Sequence, residues 1–211
     1  MTELIIASIM TIMTAATPLI FAATGELICE KSGVLNLGVE GMMLIGAVFG
    51  FAAVTVTVAP MLGVFAGALA GIFASLIFGF LTLSLLSNQV ATGLALTIFG
   101  TGLSALFGLE YVGKTIEQIE PIYIPLLTDL PIIGRILFGH DPLIYLAIGI
   151  LGLTAWFLRR TRAGMILRAV GDSDYSAHAI GYPVIAIRYA AVAFGGAMAG
   201  LGGAYLSFAY T

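Results

Sequence analysis

Apolar residues run along this chain in blocks of bilayer length, broken by short polar intervals. Runs of about 17–25 apolar residues cross a bilayer as helices. Six such spans can be drawn: Leu4 to Thr24, Leu37 to Val58, Met61 to Leu83, Gln89 to Phe107, Leu143 to Leu158 and Val184 to Phe208. The pattern predicts an all-α fold, a polytopic membrane helical bundle forming one domain over residues 1–211. The longest hydrophilic interval, RRTRAGMILRAVGDSDYSAHAIGYP from Arg159 to Pro183, separates the last two spans.

That interval orients the chain. It holds four of the eight Lys and Arg residues, namely Arg159, Arg160, Arg162 and Arg168. Positive charge beside a span marks the cytoplasmic side. Counting back, Gly108 to Pro142 lies outside, Leu83 to Asn88 inside, Ala59 and Pro60 outside, and Gly25 to Asn36 inside, with the amino terminus outside. The outer interval agrees, since it sets Lys114 and Arg135 against Glu110, Glu117, Glu120, Asp129 and Asp141. Its remainder, with four prolines and apolar runs too short to span, is expected to lie along the outer membrane interface.

Within the cytoplasmic interval a short helix has its own start and stop signals. Asp172 or Ser173 can cap it, Tyr175 to Ile180 suits it, Gly181 can close it and Pro183 forbids its continuation. Isolated helices need roughly 12–15 residues to persist in water, so this one must dock. It either packs on its own membrane domain or is offered to a cytoplasmic partner.

Composition narrows the class. The chain is 60% hydrophobic and 9% charged, with a mean hydropathy of +1.11. Soluble domains carry about 25% charged residues, so no water-facing surface can be built from this sequence. The net charge of −3 matters less than where the charges stand. Cys29 is the single cysteine, which excludes an internal disulfide and a zinc-ligand set. The first apolar run lacks a basic leader and a cleavage site, and reads as a retained span.

Several local patterns bear on chemistry. Thr11, Thr14 and Thr17 recur at three-residue spacing ahead of Pro18, where threonines either line a pathway or bond to their own backbone. The segment GELICEKSGVLNLGVEGMM crowds Glu26, Glu30, Lys31, Asn36 and Glu40 into the junction between the first two spans. Glu26 and Glu30 share a helix face, Lys31 can neutralise one of them, Asn36 can cap a helix opening at Leu37, and Glu40 suits its positive end. Ser32, Gly33 and Gly38 suit a break or re-entrant turn. Gly63, Gly67, Gly71, Ser75 and Gly79 place a small residue at every fourth position of the third span, and Gly196 and Gly200 repeat the device in the last, so both are expected to be packing seams.

GLEYVGKT, Gly108 to Thr115, satisfies the phosphate-loop pattern, but a membrane span precedes it where a strand is required, and it lies outside. His140 and His178 fall on opposite sides of the membrane and cannot share a site. No nucleophile and base pair stands out, so catalysis is not expected.

EKSGVLNLGVEGMMLIGA, Glu30 to Ala47, resembles the signature of permease subunits in bacterial ATP-binding-cassette importers for nucleosides and simple sugars. LRAVGDSDYSAHAIGYPV, Leu167 to Val184, is similar to that family's coupling-helix loop, and AFGGAMAGLGGAYLS and NQVATGLALTIFGTGLSAL match its glycine-rich and middle spans. The resemblance covers essentially the entire chain.

It implies a multi-pass protein of the bacterial inner (plasma) membrane. Partners would be a cytoplasmic ATPase, a second permease subunit, identical or homologous, and an extracytoplasmic solute-binding protein. The cargo would be a nucleoside or sugar; no cofactor, metal or nucleic acid is implied. Arg168, Gly171, Asp172, Ser173, Asp174, Tyr175, Ala179 and Gly181 would form the loop coupled to the ATPase, and Glu30, Ser32, Gly33, Asn36, Gly38, Glu40 and Gly41 a structural motif. Such permeases run on for several more helices, so the chain is expected to be truncated at its carboxy terminus. The rival reading is a secondary transporter or channel with Glu26, Glu30 and Glu40 as ion-coupling carboxylates, which should then stand near the bilayer midplane.

Overall fold

The computed structural model describes residues 2–116, 119, 121 and 138–210. Among them are eight α-helices: α1 (Thr2–Lys31), α2 (Val39–Thr57), α3 (Pro60–Gly79), α4 (Gln89–Gly108), α5 (Pro142–Arg160), α6 (Arg162–Asp172), α7 (Asp174–Ala179) and α8 (Val184–Ala209). A π-helical turn, Phe80–Ser84, extends α3, and a 3-10 turn, Leu109–Tyr111, extends α4. Six helices are long and apolar enough to cross a membrane: α1 to α5 and α8.

The ends of these helices follow local chemistry. Pro60 and Pro142 stand at the first position of α3 and α5, where a missing N–H removes no helical bond. Asn88 caps α4 by accepting from the Ala91 N–H at 3.0 Å. Helix α1 runs on to Lys31, past the expected end at Thr24. Glu26, Glu30 and Lys31 are good helix formers, and Gly25 sits against Gly195 and Met198 of α8 instead of breaking the helix.

Helix α8 is central. It packs on α1, α2 and α3, while α4 leans mainly on α2, and α5 on α1 and α6. Glycines make the α2–α3–α8 contact possible. A Cβ built on Gly200 would collide with the Gly67 carbonyl, one on Gly71 with the Gly196 carbonyl, and one on Gly63 would stand 2.8 Å from the Gly50 carbonyl oxygen. Gly196 in turn faces Ser75. Here helix backbones touch with no side chain between them, a geometry open only to small residues.

Each of the regularly spaced threonines of α1 donates to its own helix, Thr11 to Ala7 at 2.9 Å, Thr14 to Met10 at 3.1 Å and Thr17 to Met13 at 2.8 Å. Their hydroxyls thus bond to backbone, Thr14 also lining a cavity with Asp141 and Tyr205, and α1 continues through Pro18. The phosphate-loop look-alike follows a membrane helix, and its Lys114 lies over the Tyr111 ring, 4.9 Å from the centroid. Most of the outer interval beyond it, where an interfacial arrangement was expected, lies outside the described residues. His140 precedes α5 and His178 belongs to α7, at opposite ends of the bundle.

Candidate functional site

The polar residues collect at the end of the bundle that carries the arginines. There the segment 32–38 joins α1 to α2 in a turn and extended form, with Ser32, Val34 and Asn36 buried and Leu35 and Leu37 exposed. A buried segment outside regular structure must find partners for its backbone groups. They come from three helices. Glu26 of α1 accepts from the Asn36 N–H at 3.0 Å, Gln89 of α4 accepts from the Leu35 N–H at 2.8 Å, Thr97 of α4 donates to the Leu37 carbonyl at 3.1 Å, and Arg188 of α8 donates to the Ser32 carbonyl at 3.1 Å. Ser32 Oγ donates back to the Cys29 carbonyl at 2.7 Å.

Two expectations about this junction are corrected. Asn36 does not cap a helix at Leu37. Helix α2 opens at Val39 with Gly38 at the cap position and no side-chain cap bond, because the Asn36 Oδ1 is used earlier, accepting from the Gly38 N–H at 3.0 Å. Nor does Lys31 neutralise a neighbouring acid, since among the described residues no ion pair joins it to Glu26 or Glu30. Glu26 turns its Oε1 to the Asn36 backbone, while Lys31 and Glu30 are exposed, where ion pairs contribute little. Glu40 is exposed in the first turn of α2, favourable to that helix's positive end. Gly41 meets α4 backbone to backbone, at Leu96, Thr97 and Gly100.

Helix α6 was not anticipated. Its signals were present in Thr161, which caps by accepting from the Gly164 N–H at 3.0 Å, and in the three-residue spacing of Gly164, Leu167 and Val170, all buried. The density of arginines obscured them. Arg168 and Asp172 face solvent, and Gly171 is pressed against the Lys31 carbonyl and the Gly33 N–H. Gly33 takes φ +82°, a left-handed conformation that suits glycine, and a Cβ there would stand 3.1 Å from Arg188 Nη2.

Helix α7 occupies the expected place. Ser173 caps it, accepting from the Ser176 N–H at 3.3 Å, and Gly181 closes it at φ +96°. Ala177 is buried in a cluster with Val170 and Val184, which is how so short a helix is held. Its outer face stays free, with Tyr175 84% exposed and Ala179 and Ile180 beside it. Asp174, on its first turn, lies 3.6 Å from Arg188 Nη1. Sequence reasoning missed Arg188. A lone arginine one turn into an apolar span was the available signal, because such a charge is costly unless partnered.

The model of the permease component of branched-chain amino acid transport systems matches residues 8–211 of the chain. The chain belongs to this family. Among curated relatives, it is 42% identical over 201 residues to a putative glucose ABC transporter permease protein of Haloferax volcanii, covering 93% of this chain and 61% of that one. It is 35% identical over 202 residues to a nucleoside ABC transporter permease protein of Lactococcus lactis, covering 90% and 63%. It is 34% identical over 200 residues to a guanosine ABC transporter permease protein of Bacillus subtilis, covering 89% and 63%. The chain thus spans less than two thirds of the length of these relatives. No solved structure matches it. Family membership and six apolar helices make this permease chain a multi-pass protein of the inner membrane.

The carboxylates of the rival transporter reading stand apart from the midplane. Glu30 and Glu40 are exposed at the helix ends beside the 32–38 turn, and Glu26 is little more than one turn from the end of α1. Among the described residues no group of His, Cys, Asp and Glu is disposed to hold a metal ion.

Proposed function

We propose that this chain is a membrane-spanning permease subunit of an ATP-binding-cassette importer, supplying part of the pathway for a nucleoside or sugar and no catalysis of its own. The carrying observation is α7. It is capped at both ends, anchored through Ala177, and presents Tyr175 and Ala179 to solvent at the arginine-bearing end. In this reading that end faces the cytoplasm, by the preference of arginine-rich segments for that side. The working assembly pairs two permease subunits with cytoplasmic ATPases and an external solute-binding protein, and Arg168, Gly171, Asp172, Ser173, Asp174 and Gly181 shape the loop around the docked helix. The names of the relatives support cargo of the sugar or nucleoside class.

Interface energy concentrates in a few well-placed side chains, and an exposed tyrosine beside an alanine of close approach suits a groove on a partner. In the assembled complex in vesicles, Ala179→Arg and Tyr175→Ala are expected to separate ATP hydrolysis from uptake, leaving insertion and docking of the solute-binding protein intact. Substrate-stimulated ATPase activity measured beside uptake is the check. Wild-type values of both for both variants would reduce α7 to a capped turn and remove the basis of the reading.

A further inference from the structure

We infer that Arg188 is a positioning residue that ties α7 to the turn between α1 and α2, so that displacement of α7 is carried to α1, α2 and α4. The inference rests on the reading of α7 as the helix an ATPase moves. Three separate segments meet at this one side chain. Arg188 itself belongs to α8, its Nε donates to the Ser32 carbonyl at 3.1 Å, and its Nη1 stands 3.6 Å from Asp174 Oδ2 on the first turn of α7. Gly33, lacking a Cβ, leaves room for Nη2, and Gly171 at the end of α6 closes on the same turn.

The chemistry suits transmission. A guanidinium is planar and presents several donors in a fixed fork, so it holds two acceptors in a defined relation where an ammonium holds a point. The Ser32 carbonyl belongs to a fully buried residue outside any helix, and loss of its donor leaves a buried acceptor unpaired. Asp174 is largely exposed, so its ion pair adds little to the stability of the fold. Its value is directional, because it joins an exposed surface element to a buried one. Beside it lies an open groove of about 930 Å³, lined by Gln89, Asp174, Tyr175, His178, Arg188 and Tyr189, so this side of α7 is not packed against the bundle. The turn it reaches is bonded in its turn to Glu26, Gln89 and Thr97. Movement of α7 therefore has a physical route into three membrane helices.

The test has two arms. In the assembled complex, Arg188→Gln is expected to lower the solute taken up per ATP hydrolysed by about tenfold, within the usual range of site-to-site coupling, at normal abundance. Arg188→Lys, which reaches one acceptor at a time, should fall between. Exchanging the charges as Arg188→Asp with Asp174→Arg should not restore coupling, because the Ser32 carbonyl still lacks its donor; full restoration would show that the ion pair alone acts and would overturn the assignment. The second arm needs no ATPase. Spin labels at Leu35→Cys and Tyr175→Cys in the single chain, both exposed positions, should give a narrow distance distribution that broadens with Arg188→Gln and also with Asp174→Ala, which removes the α7 end of the tie. An unchanged distribution with Arg188→Gln overturns the inference whatever the fate of the importer reading. A broadened distribution beside an unchanged uptake ratio keeps the tie and rejects α7 as the moved element.

Discussion

Helix α8 is held in two different ways along its length. Through its middle it lies on α2 and α3 with backbones in direct contact, at Gly46 and Gly200, at Gly67 and Gly200 and at Gly71 and Gly196, flanked by apolar side chains. At its first turns it is held by polar side chains, with Arg188 on the Ser32 carbonyl and Tyr189 Oη 2.7 Å from the Ser84 side-chain Oγ. The first contact is a matter of shape and admits no added atom. The second is a matter of hydrogen bonds between segments far apart in sequence, and it can lose one bond without forcing the helices apart. A rigid seam beside an adjustable polar turn is the division of labour expected of a bundle whose interior must stay packed while one end responds to a partner.

The largest effect should come from the seam. Leucine at Gly200 has no rotamer that avoids the Gly67 carbonyl, because the collision begins at Cβ. Relief requires the two helices to separate along their length, and the cost should exceed the roughly 1–3 kcal/mol typical of overpacking. Gly200→Leu is therefore expected to yield aggregated or degraded chain in place of a single symmetric peak on size exclusion in detergent. A normal peak with an unshifted melting temperature would show that the seam yields, and the contrast with the polar turn would collapse.

The turn should respond less. Asn36→Leu keeps the branched side-chain shape, at a somewhat larger volume, while removing the acceptor for the Gly38 N–H and the donor that lies 3.6 Å from Met42 Sδ. A buried N–H left without a partner costs about 1–3 kcal/mol. The variant should purify as a single species with a lowered melting temperature. Loss of folding on the scale of Gly200→Leu would place the turn in the same rigid class as the seam.

How much of this was legible in the sequence follows the same division. Spans and seams have strong periodic signals, so six helices and the stripe of Gly63, Gly67 and Gly71 could be read directly from spacing. The turn has no period. Its contacts are set by which backbone atoms come within reach across intervals as long as the 156 residues between Ser32 and Arg188. Spacing placed Asn36 at a helix cap, whereas the structure uses it two residues before the cap position, and spacing paired Lys31 with acids that instead face backbone or water. Helix α6 was hidden because its apolar stripe is three positions wide among four arginines. Short polar segments are read poorly from sequence because their partners are tertiary, and the candidate site is built almost wholly from such segments.

The smallest effect sharpens the comparison from the opposite side. Gly149 and Gly152 of α5, like Gly102 of α4, have nothing within 4 Å of an added Cβ, so they share the residue type of the seam without its contacts. Glycine inside a helix is less favourable than alanine by roughly 0.5–1 kcal/mol, through the backbone freedom it must surrender. With no collision to offset that gain, Gly149→Ala is expected to raise the melting temperature of the purified chain slightly, where Gly200→Leu destroys it. The same variant placed in the assembled complex asks a further question. If it stabilises the chain alone yet lowers recovery of the complex, another helix backbone meets α5 at Gly149 in the assembly, and this face is a second seam whose partner lies outside the residues described. If it is benign in both settings, close glycine packing does not extend to this face of α5, which is left to lipid.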